Sequence, residues 1–216
     1  MILEYSAILA LAAQCAPSVA PATMLAIVRT ESGGFIHALN VNGTKSPPRP
    51  KDQASAAVLA RRYIAAGYSV DLGLAQINSR NLSRLAMTIE DALDPCRSLA
   101  GGASILTQNF VAISNESSPQ ARLRVALSMY NTGSRRRGFT NGYVGKVLAN
   151  VASVAVRSRD IPTRAVANVM MAAAATDLNP KPPAQAMVQA PPPKWDVFGR
   201  ADYLSRKNSL SQGGQR

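Results

Sequence analysis

The chain has 216 residues, of which 47% are hydrophobic, 17% charged and 5% aromatic, which fits one domain of ordinary size plus an extension. One histidine and two cysteines supply too few soft ligands for zinc fingers or most other His/Cys metal sites, so neither a metal nor a cofactor is expected. The net charge of +12 suits nucleic acid, anionic lipid or cell-wall polymer without choosing among them, and it equally fits a generic solvated basic surface.

Helical patterns recur through the first part of the chain. Pro21 fits the first turn of a helix that the Gly33-Gly34 pair ends, and Gly67 closes the next one. The predicted helices cover residues 2–13, 21–32, 54–66, 96–114, 119–130 and 142–154. The first of these has no basic region before it and contains Glu4, so it is predicted to belong to the folded domain, with an export signal absent or unconventional.

Two segments between the helices have a different pattern. Residues 68–77 contain β-favouring side chains around Gly73 and predict a short strand or ribbon, whereas residues 40–52 contain three prolines and predict a loop. Residues 1–155 are therefore predicted to form a mainly α domain of the α+β type, with at most a small β ribbon. No segment approaches the roughly 20 apolar residues of a membrane span, and none is expected.

The composition changes near residue 156. Residues 157–175 are rich in Ala and Val and fit a partial helix, and prolines between Pro180 and Pro193 predict an extended linker. The segment 195–198 contains the only tryptophan, which fits either a docking motif or incidental aromatics in a disordered end. Residues 156–216 are predicted to form a largely disordered basic tail.

Glu31 ends the apolar second helix. The negative end of the helix dipole and the apolar neighbours both raise the pKa of its carboxyl, in the direction that a general acid needs at neutral pH. Its position alone equally fits a solvent-exposed glutamate without a function.

Three further segments contain side chains suited to binding a sugar. Gly73-Leu74-Ala75-Gln76-Ile77-Asn78 offers the neutral amide of Gln76, which both donates and accepts hydrogen bonds. Residues 129–133 contain Tyr130, whose flat face and hydroxyl suit a sugar ring or a catalytic carboxyl, and residues 141–144 contain Tyr143. Each segment alone is a weak signal, because both tyrosines also fit ordinary half-buried positions.

In this order and spacing, the segments resemble the soluble-lytic-transglycosylase-like family, whose domain has a lysozyme-like fold. The resemblance covers roughly residues 5–150, and the matching stretches are 31–33, 73–78, 126–133 and 142–144. It is most similar to the specialised transglycosylases of type IV secretion and conjugation systems, through residues 14–17, 78–82 and 93–96. A periplasmic location follows from this resemblance.

The resemblance implies a reaction on peptidoglycan glycan strands. Glu31 would protonate the oxygen between N-acetylmuramic acid and N-acetylglucosamine and then accept the proton of the C6 hydroxyl, leaving a 1,6-anhydro product. Tyr130 would orient Glu31 or stack on substrate. The residues implied to line the cleft and bind substrate are Ser32, Gln76, Asn78, Tyr130, Asn131 and Tyr143.

The resemblance also bears on the two cysteines. From the residues alone, Cys15 and Cys96 fit either one disulfide or two buried free thiols. They fall where that branch of the family places a pair, which implies a disulfide.

Three alternatives remain open at this point. Asp71 is the nearest second carboxylate, and if it pointed into the cleft it would support a hydrolytic muramidase. A non-catalytic assembly protein could keep the fold and bind other secretion components through its tail. A nucleic-acid-binding protein is disfavoured, because the chain lacks interleaved aromatic and basic residues and any recognisable binding motif, so no specific nucleic acid partner is expected.

Overall fold

The computed structural model describes residues 1–44, 49–114, 116 and 118–159 of the chain. The helices in this part of the chain are α1 (Tyr5–Cys15), α2 (Pro21–Glu31), α3 (Gln53–Ala65), α4 (Ile89–Leu93), α5 (Pro95–Val111), α6 (Pro119–Thr132), α7 (Arg137–Thr140) and α8 (Tyr143–Arg159). The strands are β1 (Leu39–Val41), β2 (Val70–Leu72) and β3 (Ile77–Asn78), and a short 3₁₀ helix covers Ser79–Asn81. The predicted mainly helical domain with a small ribbon is confirmed.

Local chemistry explains where several helices begin and end. Prolines occupy the first turns of α2, α5 and α6, where a missing N–H costs nothing. Side chains cap four α-helices: Asp52 caps α3 by accepting from the N–H of Ser55, Thr88 caps α4, Asp94 caps α5, and Ser118 caps α6. α6 ends at Gly133, whose φ of 65° is in the left-handed region that favours glycine.

The hydrophobic side chains form two cores. The first core is built mainly from α1, α2, α6 and α8, which we call the helical lobe. The second core lies between the strands, α3 and α4, which we call the sheet lobe. α5 contributes to both cores, through Leu99 and Leu106 on one side and Ile105 on the other. The two lobes are therefore packed against a shared helix.

α2 is the central helix of the helical lobe. Every residue from Thr23 to Val28 is buried, which is unusual for an amphipathic surface helix and typical of one enclosed on all sides. α2 packs against α1 and α8. The last residue of this enclosed helix is Glu31, so burial of α2 determines where that carboxyl lies.

The strands form an antiparallel sheet in the order β1-β2-β3. Leu39 pairs with Leu72 and Val41 with Val70, and these apolar side chains are buried in the sheet lobe. Side chains alternate between the two faces of a strand. Asn40 and Asp71, which pair between these apolar positions, therefore lie on the opposite face.

The predicted disulfide is confirmed. Cys15 and Cys96 are bonded, with their Cα atoms 5.4 Å apart, and the bond joins the end of α1 to the first turn of α5. It thus connects the helical lobe to the helix that both lobes share.

The structure corrects some predicted boundaries. The loop predicted for residues 40–52 is wrong at its start, because Asn40 and Val41 belong to β1 and pair with β2. The short helices α4 and α7 were not predicted, since each is less than two turns long and carries no measurable apolar period. α8 continues to Arg159, past the predicted end of this helix at residue 154, and the predicted tail from residue 160 onward lies outside the described residues.

Candidate active site

A cleft runs between the two lobes. A cavity of about 860 Å³ and an adjoining one of about 480 Å³ together form it. Five side chains line both parts: Glu31, Asn42, Asp71, Gln76 and Asn131. Three of the sequence-predicted site residues therefore meet at the centre of the cleft, together with Asp71 and Asn42.

Glu31 reaches the cleft from the end of α2. The hydroxyl of Tyr143 donates a hydrogen bond of 2.6 Å to its Oε1. Burial raises the pKa of the Glu31 carboxyl to about 7, the hydrogen bond from Tyr143 lowers it, and the charge of Asp71 raises it. The carboxyl is thus half protonated near neutral pH, as a group that both gives and accepts a proton requires.

Tyr143 is held by a chain of polar contacts. Its backbone N–H donates to Oδ1 of Asn141 at 3.0 Å, and Nδ2 of Asn141 donates to Oδ1 of Asn131 at 2.9 Å. Tyr143 is buried at the start of α8, and burial together with the nearby charge of Glu31 raises the pKa of its phenol. The phenol therefore stays protonated and acts on Glu31 as a hydrogen-bond donor.

Tyr130 lines one part of the cleft, as predicted. Its hydroxyl donates to the carbonyl oxygen of Ala75 at 2.7 Å, and its ring packs against both hydrophobic cores. The hydroxyl that donates to Glu31 belongs to Tyr143, and stacking of Tyr130 on substrate stays a prediction. Tyr143 makes this contact because the packing of α8 on α2 brings residue 143 to the end of α2.

Gln76 lies in a constrained loop between β2 and β3. Its Nε2 donates to the carbonyl oxygens of Gly73 at 2.9 Å and Ala38 at 3.3 Å, and its φ of 48° is unusual for a residue with a side chain. A Cβ at Gly73 would lie 2.0 Å from the Ala92 carbonyl oxygen, so only glycine fits there. These two contacts use the amide nitrogen of Gln76 as a donor. The side-chain carbonyl oxygen of Gln76 is therefore the atom that can accept a hydrogen bond from a ligand.

Two other predicted site residues have structural contacts. The Ser32 hydroxyl donates to the Val28 carbonyl oxygen and accepts from the Gly34 N–H, both at 3.2 Å, which shapes the turn after Glu31. Asn78 donates through Nδ2 to Oδ1 of Asp71 at 2.6 Å. Ser32 and Asn78 each line one part of the cleft, and their contact with substrate stays a prediction.

The sequence identified Asp71 only as the nearest second carboxylate and left open whether it pointed into the cleft. Its carboxylate lies in the cleft and accepts hydrogen bonds from Asn78, from Asn40 at 3.1 Å and from Asn42 at 3.0 Å. Asn40 and Asn42 were not predicted, although their spacing of two residues would have placed them on one face of a strand. Within the described residues, no group of three or more His, Cys, Asp or Glu side chains is arranged to hold a metal ion.

Comparison with known proteins identifies one matching family and several similar proteins. The family described as "Transglycosylase SLT domain" matches residues 8–152. The chain is 43% identical over 136 residues to Protein virB1 of Agrobacterium fabrum, covering 63% of this chain and 56% of that protein. It is 36% identical over 211 residues to the type IV secretion system protein virB1 of Brucella suis, covering 94% and 83% respectively.

The extent of these matches differs between relatives. A second Agrobacterium protein, Protein virB1 of Agrobacterium tumefaciens, is 42% identical over 136 residues, covering 63% of this chain and 57% of that protein. The chain thus spans a little over half the length of the Agrobacterium relatives that it matches. No solved structure matches the chain significantly.

Proposed function

The chain belongs to the transglycosylase SLT domain family, and from this premise we propose that it is a lytic transglycosylase acting on peptidoglycan. The bond cleaved is the β-1,4 linkage between N-acetylmuramic acid and N-acetylglucosamine, and the product ends in 1,6-anhydro-N-acetylmuramic acid. The observation that carries the proposal is the carboxyl of Glu31, which lies in the cleft with its pKa raised to about 7.

The proposed reaction uses Glu31 twice. As an acid, Glu31 gives its proton to the glycosidic oxygen while the bond from that oxygen to C1 of the muramic sugar breaks. As a carboxylate, it then takes the proton of the C6 hydroxyl while the oxygen of that hydroxyl bonds to C1. Glu31 ends protonated as it began, and water is not consumed.

Tyr143 fits the second half of this cycle. A hydrogen bond to the ionised form of a carboxyl stabilises that form, and the Tyr143 hydroxyl lies 2.6 Å from Oε1 of Glu31. Burial favours the protonated form, so the two effects oppose each other at one group. Their balance places the pKa where both proton transfers are accessible near neutral pH.

We extend the proposal to the cellular setting. The Brucella relatives are named as type IV secretion system proteins, and one of them aligns with 94% of this chain. We propose that this enzyme opens the cell wall locally for a type IV secretion or conjugation machine, in the periplasm. The Cys15–Cys96 disulfide supports an oxidising compartment of this kind. Residues 156–216 are proposed to contact other components of that machine.

A hydrolytic muramidase is the second candidate function, because Asp71 lies in the same cleft as Glu31. Most glycoside hydrolases use two carboxyl groups in their sugar-binding cleft. The two reactions differ in the atom that bonds to C1, which is the C6 oxygen in one case and a water oxygen in the other. Their products are therefore distinguishable by mass.

The test is digestion of purified peptidoglycan in isotopically labelled water, followed by mass spectrometry of the soluble fragments. Anhydro ends without the label are expected. Reducing ends that carry the label would establish the muramidase instead. Absence of any release by the wild-type chain, with binding to peptidoglycan intact, would favour the non-catalytic assembly protein.

A further inference from the structure

We propose that Asp71 is a second catalytic carboxylate, which Asn40, Asn42 and Asn78 hold in the cleft facing the sugar that Glu31 protonates. Its function is to stabilise the positive charge that develops on the muramic ring as the glycosidic bond breaks. This inference rests on the proposed cleavage of peptidoglycan, and it applies whether the C6 hydroxyl or water completes the reaction.

The sheet builds the support for Asp71. Asp71 pairs with Asn40 of β1 on one side and with Asn78 of β3 on the other, so the three side chains form one row across the sheet. Asn42 follows Asn40 by two residues and therefore lies on the same face. The opposite face is buried in the sheet lobe through Leu72 and its neighbours, which fixes the direction of the whole row.

The hydrogen bonds of this row fix the orientation of the Asp71 carboxylate. Asn78 donates to Oδ1, and Asn40 and Asn42 both donate to Oδ2. All three donors are neutral amides, so they orient the carboxylate without cancelling its negative charge. A negative charge that is already fixed in position stabilises a developing cation without reorganisation during the reaction.

The two carboxyls of the cleft have contrasting surroundings. Glu31 is half-buried and desolvated at the end of an apolar helix, whereas Asp71 is surrounded by amide donors. Different environments allow two neighbouring carboxyls to take different functions, one as the acid and the other as the charge stabiliser. Among the described residues, the ionisable groups that interact with Glu31 are Tyr143 on α8, Tyr130 on α6 and Asp71 on β2, and Arg49, Arg80 and Arg84 line the same cavities. Asp71 is the group of this set that carries negative charge and raises the Glu31 pKa.

The proposed step keeps its atoms and electrons in balance. The electron pair of the C1–oxygen bond leaves with the glycosidic oxygen, which receives the proton of Glu31. C1 and the ring oxygen share the resulting positive charge, and the Asp71 carboxylate stabilises it until the C6 oxygen supplies an electron pair. Asp71 begins and ends the cycle ionised.

The experiment compares the full-length wild type with Asp71→Asn and with Glu90→Gln as the charge-matched control. Glu90 lies outside the cleft on α4 and pairs with Arg61. Release of soluble fragments from peptidoglycan is measured from acidic to alkaline pH. Asp71→Asn is expected to lower kcat on the order of 10²-fold with little change in KM. It is also expected to move the alkaline decline of activity to lower pH, because the Glu31 acid loses a neighbouring negative charge.

A second variant separates catalysis from folding. Asn42 is exposed, so Asn42→Ala is expected to fold normally and to lower kcat by roughly tenfold, through a less fixed Asp71. Asp71→Asn with wild-type kcat, or with an unmoved alkaline decline in a folded protein, would overturn the inference. A wild type that releases nothing would instead refute the proposed function itself.

Discussion

The helical lobe and the sheet lobe each bring one carboxyl to the cleft, and they treat it in opposite ways. In the helical lobe, Glu31 is half-buried and desolvated, and it accepts a hydrogen bond from Tyr143. In the sheet lobe, Asp71 is also half-buried, but it accepts hydrogen bonds from three amide donors. The difference shows that similar side chains acquire different chemistry from the element that carries them, since desolvation at the helix end favours the neutral form of Glu31 and the amides of the sheet hold the Asp71 carboxylate in place.

Because each lobe carries one of the two carboxyls, the cleft requires the two lobes to keep a fixed position relative to each other. α5 packs into both cores, the ring of Tyr130 contacts both, and its hydroxyl reaches Ala75 in the sheet lobe. The Cys15–Cys96 bond attaches α5 to α1. Substitutions can therefore perturb one lobe, or the connection between the lobes, without changing the other lobe.

The largest effect is expected from removing the acid of the helical lobe. Glu31→Gln keeps the shape of the side chain but cannot give a proton, so peptidoglycan cleavage is expected to fall on the order of 10³-fold or more. The measurement is fragment release at pH 6, with circular dichroism and peptidoglycan binding as controls for folding. Activity within tenfold of wild type would exclude Glu31 as the catalytic acid.

The next largest effect is expected from removing the Cys15–Cys96 disulfide. Replacing Cys15 and Cys96 by serine is expected to lower the free energy of unfolding by about 2–5 kcal/mol, because the bond closes a long loop in the unfolded chain. Urea denaturation of the double variant and of the wild type checks this. An unchanged midpoint in the oxidised wild type and the variant would show that the bond contributes nothing to stability.

A third prediction concerns the cost of burying Glu31. The pKa of Glu31 is about 7 in the folded chain against an ordinary value of 4.5, so the folded state binds the proton more tightly. Stability from this group is therefore present at low pH and is lost as pH rises from about 4.5 to 7. Glu31→Gln avoids the loss, and it is expected to be more stable than wild type by up to about 3 kcal/mol at pH 8 and equal to it at pH 4. Denaturant titrations at the two pH values test this, and equal differences at both would contradict it.

The smallest of these effects is expected at Tyr143. Tyr143→Phe removes the donor to Glu31 while keeping the ring, and it is expected to lower the cleavage rate roughly tenfold. Since the lost bond stabilised the carboxylate, the alkaline decline of activity moves to higher pH, opposite to the shift expected for Asp71→Asn. Tyr68→Phe, at an exposed position, is the matched control. Equal pH profiles for Tyr143→Phe and wild type would exclude the hydrogen bond from the cycle.

Much of the helical lobe was predictable because its signals are local. The apolar runs, the proline starts and the glycine ends marked the long helices to within a few residues, and Glu31 falls at the end of α2 as expected. The cysteine pair followed from the resemblance to a family. The motif residues around Gln76 and Asn131 do line one cleft.

The contacts that define the chemistry were not predictable in the same way. Tyr143 reaches Glu31 across 112 positions of the chain, and only the packing of α8 on α2 distinguishes it from Tyr130. The spacing of Asn40 and Asn42 fits one face of a strand, but β1 has only three residues and its second half was predicted as a loop, so the row around Asp71 was not recognised. Distances across the lobes depend on tertiary structure, and the sequence pattern carries no record of them.

The central claim is that the helical lobe makes Glu31 an acid that is still protonated near neutral pH. The most direct test is an NMR titration of the side-chain carboxyl carbons of labelled glutamate, with Glu31→Gln used to assign the Glu31 signal. The account predicts a midpoint of about 7 for Glu31. A midpoint near 4.5, the ordinary value for a glutamate, would contradict it.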